Sequence, residues 1–271
     1  MKMKDKNIYS VIQRSVATKN PGNTKRMLPR SFASLWMTLL CYILASCSTT
    51  KNLPEGEILY TGIDKLEVVN KDETPAGVTA LTEVEAALAY APNNAIFGSS
   101  SMRWPLPVGL WVYNGFVKYQ DKKGVGRWIF DHLGTQPVLM SSVNGETRAK
   151  VATNLLRDYG YFNGTVSYEE VPQKDPKKAK VSYVIDMAQP YFLDSIAYLR
   201  YPSVADSLIQ ATRGQSVLKS GENFSVIKLE EERQRLSTLF RNRGYYYFRP
   251  EFTAYRADTL QRSGYVSLQV V

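Results

Sequence analysis

The stretch Asn154-Leu155-Leu156-Arg157-Asp158-Tyr159-Gly160-Tyr161-Phe162 has a near twin 84 residues further on, Thr238-Leu239-Phe240-Arg241-Asn242-Arg243-Gly244-Tyr245-Tyr246. Each reads as a helix that ends on an apolar pair, then a glycine, then an aromatic-rich strand. Glycine suits the residue just past a helix, because the left-handed turn there penalises a Cβ. The same device used twice points to two copies of one small domain.

The repeat extends both ways. Val181 to Ile185 alternates apolar and polar as Val266 to Val270 does, at a shift of 85. Upstream, Ile63-Asp64-Lys65-Leu66 matches Leu193-Asp194-Ser195-Ile196, but at a shift of 130. Period two marks strands. The larger shift places some 46 extra residues inside the first copy, between its opening strand and its last helix.

Each copy therefore reads β-α-α-β-β. Three strands bury a face only when helices cover it, so the expected fold is α+β: two tandem two-layer domains. The first, 59–188, runs from a strand at Tyr60–Val69 through helices at Val78–Tyr90 and Glu146–Tyr159, the latter capped by Asn144. Strands Tyr161–Val171 and Lys178–Met187 complete it. The second, 190–271, has a strand at Tyr191–Arg200 and helices at Ser203–Thr212 and Val226–Arg243. Strands at Tyr245–Tyr255 and Gly264–Val271 close it. Ser225 is the expected cap of the last helix, with Phe224 and Leu229 as a hydrophobic staple. Pro250 inside the penultimate strand argues for an edge position.

Residues 92–140 hold most of the insertion and three of the four tryptophans. Two readings stand for Trp104, Trp111, Tyr113 and Phe116: a flap folded on its own domain, or a patch for a partner or a membrane interface.

Residues 1–46 read as a secretory signal, with basic residues ahead of an apolar run from Leu35 to Ala45 that is too short to span a bilayer. Met27 is a candidate start. The end, Leu44-Ala45-Ser46-Cys47, resembles a bacterial lipobox and implies acylation of Cys47, with 47–58 as a polar tether. The leader carries eight basic residues and one acidic residue, so the mature chain is near +2 although the whole chain is +9. That near-neutral balance is no argument for nucleic acid. Cys41 leaves with the leader, so no disulfide is expected.

The chemistry on offer is thin. The single histidine, His132, has no nucleophile elbow or HExxH helix about it. Lys122-Lys123-Gly124-Val125-Gly126-Arg127 lacks the spacing of a phosphate loop and reads as a turn. Glu230-Glu231-Glu232 reads as an acidic first turn set against a helix dipole. No catalytic residue, metal ligand or cofactor is expected. The eighteen tyrosines leave a glycan-binding lipoprotein as an alternative.

Taken together, the lipobox, Leu53-Pro54-Glu55-Gly56, Gly109-Leu110-Trp111-Val112-Tyr113-Asn114 and the paired Arg-x-x-Gly-Tyr junctions resemble a known family. It is the periplasmic part of the lipoprotein branch of BamA/TamA-type outer-membrane assembly proteins, whose β-α-α-β-β repeats are POTRA domains. The resemblance implies a β-barrel beyond the repeats; none is present in these residues, and Val271 falls within an expected strand. It also implies an outer-membrane, lipid-anchored scaffold facing the periplasm. Its partners would be unfolded outer-membrane clients and other assembly subunits, bound by strand addition. The edges expected to serve are Tyr161 to Val171, with Val166 and Tyr168, and Tyr245 to Tyr255, with Tyr247 and Phe252.

Overall fold

The computed structural model describes residues 49–271; the signal, lipobox and Cys47 readings lie outside them. The first repeat runs β1 (Leu59–Val69), α1 (Pro75–Leu88), α2 (Val108–Phe116), α3 (Val125–Leu133), α4 (Met140–Val143), α5 (Gly145–Asp158), β2 (Thr165–Pro172) and β3 (Lys178–Asp186). The second runs β4 (Phe192–Tyr198), α6 (Ser203–Ala211), α7 (Val226–Arg241), β5 (Tyr255–Asp258) and β6 (Tyr265–Val270). The sheets are ordered β1-β3-β2 and β4-β6-β5, so the last strand of each repeat is central. It pairs parallel with the opening strand and antiparallel with its hairpin neighbour. A parallel pair needs a long crossover, and the helices of each repeat supply it.

Strand register reproduces the two repeat shifts. Ile63 faces Val181 and Leu193 faces Val266; Leu66 faces Tyr183 and Ile196 faces Leu268; Val68 faces Ile185 and Tyr198 faces Val270. Opening-strand partners differ by 130 residues and central-strand partners by 85, as the sequence predicts. The alternation has a physical cause: Val181, Tyr183 and Ile185, like Val266, Leu268 and Val270, are buried under the helices.

Local signals explain the helices. Thr74 accepts a bond from Gly77 N–H and Pro75 opens α1, three residues earlier than the sequence reading, because cap and proline together satisfy the first turn. Ala80, Leu81, Val84 and Leu88 bury one face, the leucines and valine contributing about 1.5–3 kcal/mol each. Asn144 caps α5 by accepting from Thr147 N–H at 3.0 Å. Ser225 Oγ accepts from Lys228 N–H at 3.5 Å, and Phe224 and Leu229 lie in one buried cluster as the staple requires.

The two junctions share their wiring. Tyr161 N–H reaches Leu156 O at 2.9 Å and Tyr245 N–H reaches Phe240 O at 3.0 Å, past Gly160 (φ 89°) and Gly244 (φ 97°). A second bond then corrects the strand reading in both copies. Gly164 N–H closes on Tyr161 O and Phe248 N–H on Tyr245 O, each at 2.9 Å, so a turn follows the glycine and the strand starts later. Tyr161 precedes β2, is fully buried, and donates to Asp72 Oδ2 at 2.6 Å. Tyr245, Tyr247 and Phe252 precede β5, and Pro250 opens a 3-10 turn rather than sitting in a strand.

The insertion forms a helical hairpin that the sequence reading did not contain. α2 and α3 meet through Tyr113 on Phe130 (5.4 Å between ring centroids), while Thr135 N–H donates to Gly109 O at 2.9 Å. A Cβ on Gly109 would come within 2.3 Å of Thr135 Oγ1, so glycine permits this approach. Gly124 (φ 124°) makes the turn expected before Arg127, although Arg127 itself lies in α3.

Candidate strand-docking edge

A three-stranded sheet has two edges, each a row of unpaired backbone groups unless something covers it. In the first sheet the outer side of β1 is closed over its first half. Tyr60 N–H donates to Val138 O at 2.9 Å and Met140 N–H to Ile58 O at 2.8 Å. Further along, Arg103 of the insertion donates to Thr61 O at 3.5 Å and Ile63 O at 3.3 Å. Its guanidinium fits because residue 62 is glycine; a Cβ there would lie 2.5 Å from it. Beyond Ile63 the edge carries Asp64, Lys65 and Glu67, with Lys65 and Glu67 paired at 2.6 Å. Charged side chains of this kind deter edge-to-edge pairing.

The second sheet closes its opening strand by the same means. Leu193 N–H donates to Glu222 O at 2.8 Å, Gly221 N–H to Leu193 O at 2.7 Å and Phe224 N–H to Tyr191 O at 2.8 Å. Here too an arginine finishes the seal, Arg213 donating to Ile196 O at 2.8 Å. On the far side β5 is only four residues long.

That leaves β2. Its eight residues pair with β3 in unbroken antiparallel register. The hairpin bond from Gln173 N–H to Lys178 O sets the alternation, so the odd-numbered residues bond to β3 and the even-numbered ones present their groups outward. Val166 N–H, on the outward side, is taken by Thr153 Oγ1 at 3.0 Å. Pro172 has no N–H. Tyr168 and Glu170 remain as outward donors, beside the outward carbonyls of the same set.

A groove of about 450 Å³ runs between this edge and α5, lined by residues that include Ala149, Thr153, Arg157, Val166 and Tyr168. The Tyr168 ring lies over Gly145, where a Cβ would come within 2.8 Å of it. At one end Lys150 pairs with Glu146 at 2.6 Å. The hydrogen bond and charge of Lys150 hold the Glu146 carboxyl below its usual range, and Glu146 raises Lys150 in return. Both are exposed, so the pair shapes local charge rather than stability. Backbone groups and a groove of mixed polar and apolar lining suit an extended peptide laid alongside β2.

The residues expected to form docking edges thus separate. Val166 and Tyr168 lie together on β2; Tyr161 belongs to the core; Tyr245, Tyr247 and Phe252 form an exposed aromatic turn. Within the insertion, Trp104 is 55% exposed. Trp111, Tyr113 and Phe116 are half-buried in the hairpin, Phe116 packing on Tyr119 at 5.9 Å. His132 stacks on Trp128 at 4.9 Å and its Nδ1 lies 2.9 Å from Trp128 O. No group of three or more His, Cys, Asp or Glu among the described residues could hold a metal ion. Arg103 and Arg213, which decide which edges are open, carried no sequence signal of that role.

Glu232 needs a correction. It is fully buried and lies in the second turn of α7, not in an acidic first turn set against the helix dipole; α7 starts at Val226 and its first turn holds no acidic residue. It accepts from Tyr198 Oη at 2.6 Å, Val217 N–H at 3.2 Å and Arg235 Nε at 2.9 Å.

No protein-family model matches the chain, and no curated protein matches it at a significant level. Among solved structures it is similar to the third to fifth POTRA domains of BamA from Haemophilus influenzae, at 10% identity over 81% of this chain and 98% of that one, with a TM-score of 0.31. It is also similar to the first two POTRA domains of the periplasmic part of Omp85 from Anabaena, at 15% identity over 80% and 96%, TM-score 0.29. The N-terminal domain of Omp85 from Thermosynechococcus elongatus gives 16% identity over 80% of this chain and 63% of that one, TM-score 0.32. With identities and superpositions this low, the fold assignment rests on the strand order and helix placement of the chain itself.

Proposed function

We propose that this chain is a periplasmic POTRA-type scaffold of outer-membrane protein assembly or translocation, held to the outer membrane by acylated Cys47. It binds unfolded outer-membrane polypeptides or partner subunits by adding their strand to β2. One observation carries the reading: both opening strands are capped over their first residues by backbone and arginine, β1 continues with charged residues, β5 is short, and among the described residues β2 is the long edge that lies beside a groove. Main-chain bonding makes few sequence demands, which suits varied clients.

The test follows from the alternation. Val166→Pro removes a bond to Thr153 that belongs to the domain itself, so Glu170→Pro is the sharper probe. It deletes an outward donor and leaves the ladder to β3 intact. One lost hydrogen bond of about 0.5–1.5 kcal/mol weakens client binding by roughly twofold to tenfold, with far-ultraviolet circular dichroism unchanged. A photo-crosslinker at Tyr168 should capture client peptides, and one at Lys65 should not. Equal capture at both positions removes β2 as the docking strand.

A further inference from the structure

The exposed aromatic side of the insertion has a defined neighbour: the start of the mature chain. Thr49 lines a hollow with Pro107 and Leu110 of the α2 region and with Asn94. Asn52 Nδ2 donates to Asn114 O at 3.0 Å, tying the tether along α2. Asn94 in turn holds Trp104 from both sides, accepting from Trp104 N–H at 2.7 Å and donating from Nδ2 to Trp104 O at 2.9 Å. Next to this hollow, Trp104, Leu106 and Val108 stand roughly half exposed. Leu133 joins them from α3, because Thr135 N–H is bonded to Gly109 O. Trp128, five residues earlier on α3 and also exposed, lies about 140° round the helix from Leu133 and so on another side.

Cys47 is two residues before Thr49. An extended chain covers at most about 3.3–3.6 Å per residue, so two residues of tether give a lipid on Cys47 a reach of at most about 7 Å from Thr49. An acyl chain on Cys47 that enters a bilayer brings the hollow to the bilayer surface.

We infer that Trp104, Leu106, Val108 and Leu133 form a membrane-docking face, which seats the first repeat on the leaflet that holds the lipid anchor. The proposal rests on acylation of Cys47 as proposed above. Tryptophan is at home at the headgroup level, where its ring is apolar and its N–H stays wet. A single acyl chain gives only marginal, reversible binding, and a second membrane contact makes anchoring stable and fixes orientation. The face would hold the repeat in one pose instead of leaving it to swing on a short tether.

The test uses the full chain, expressed with its own leader and reconstituted into phosphatidylethanolamine–phosphatidylglycerol vesicles whose acyl chains carry bromine near the carbonyl end. Variants retain one tryptophan at a time, with phenylalanine at the others. Trp104 emission should fall at least twofold, while Trp111, half-buried in the hairpin, and Trp128, on another side of α3, keep most of theirs. Palmitate labelling of Cys47 separates the two ideas. Labelled protein whose Trp104 is not quenched overturns the docking face and leaves the anchor standing. Unlabelled protein whose Trp104 is still quenched overturns the anchor and keeps the face. Quenching of all three tryptophans alike also counts against the face, since it means unspecific insertion.

Discussion

Arg148 in the first repeat and Glu232 in the second occupy the same place, 84 residues apart, with opposite charge. Both sit in the early turns of the helix that precedes the glycine junction. Arg148 donates to Val143 O at 2.9 Å, to Ala87 O at 2.9 Å and to Ala89 O at 3.2 Å, with its guanidinium 4.6 Å from the centre of the Tyr90 ring. Glu232 accepts from Tyr198, Val217 and Arg235. The first repeat brings the carbonyl end of α1 to this spot, and the second brings an N–H and a phenol. Buried groups must be matched, so the position takes whichever charge the local backbone leaves unanswered. The repeat preserves a polar tie between layers; it does not preserve its sign.

The strongest way to break that comparison is to remove each tie in turn. Glu232→Ala leaves Arg235 and Tyr198 without their shared acceptor in a nearly dry site, so it should cost the second repeat about 3–5 kcal/mol. Arg148→Ala strips donors from three carbonyls in a half-buried site and should cost the first repeat about 1–3 kcal/mol. Hydrogen exchange resolved along the chain reads both. Loss confined to the repeat that carries the substitution supports two separate ties; equal loss in both repeats would mean that one cooperative unit spans them.

A second contrast lies at the junctions. Phe162 packs on Tyr191 at 5.0 Å and on Phe224 at 5.1 Å, joining the first repeat to the second, and Tyr191 N–H donates to Gly160 O at 2.9 Å. A Cβ on Gly160 would meet Phe224 O at 2.5 Å, whereas one on Gly244 would meet nothing within 4 Å. Tyr246, at the position of Phe162, is 77% exposed. Phe162→Ala should therefore cost about 2–3 kcal/mol and loosen the two repeats, while Tyr246→Ala should stay within about 0.5 kcal/mol. Thermal melts of the two variants decide it. A comparable loss at Tyr246 would show that its ring is held by something the first junction lacks.

These contrasts show what was legible in the chain. The shifts of 84, 85 and 130 sufficed to set element order, because buried apolar residues must recur where layers meet; which strands pair, and that the first and last run parallel, was not read from them. Strand starts after each glycine were misread together. Tyr161 and Tyr245 to Tyr247 carry strand propensity, but the left-handed glycine commits the next residues to a turn; Asn163-Gly164 was the available sign. The insertion's helices were hidden because nine-residue segments full of aromatic and glycine residues have no clear period. Arg103 and Arg213 were unreadable for a different reason. Sealing a strand edge depends on which carbonyls lie within reach, and spacing carries no trace of that. Glu232 was misassigned because three successive glutamates look alike until one turns inward.

Acid gives the smallest and most selective test, since a proton neutralises an acceptor without removing it. Burial alone would raise the Glu232 carboxyl, but bonds from Arg235 and Tyr198 outweigh it and leave the group below its ordinary value of 4.5. A carboxyl depressed in the folded state adds stability that is fully present above that ordinary value and is lost as pH falls through the folded one. Arg148, a guanidinium, has no such proton to gain. The first repeat holds a weaker counterpart at Asp72. Burial opposes ionisation there too, and hydrogen bonds from Tyr161 and Thr74 carry the carboxyl below its ordinary 3.8, at a more open site. Exchange protection should therefore fall below pH 4.5 first around Tyr198, Val217 and Arg235, and only at lower pH around Tyr161. Glu232→Gln should flatten the first step and leave the second. If both repeats loosen together in that variant, the opposite charges at 148 and 232 have no bearing on acid response, and the comparison holds for geometry alone.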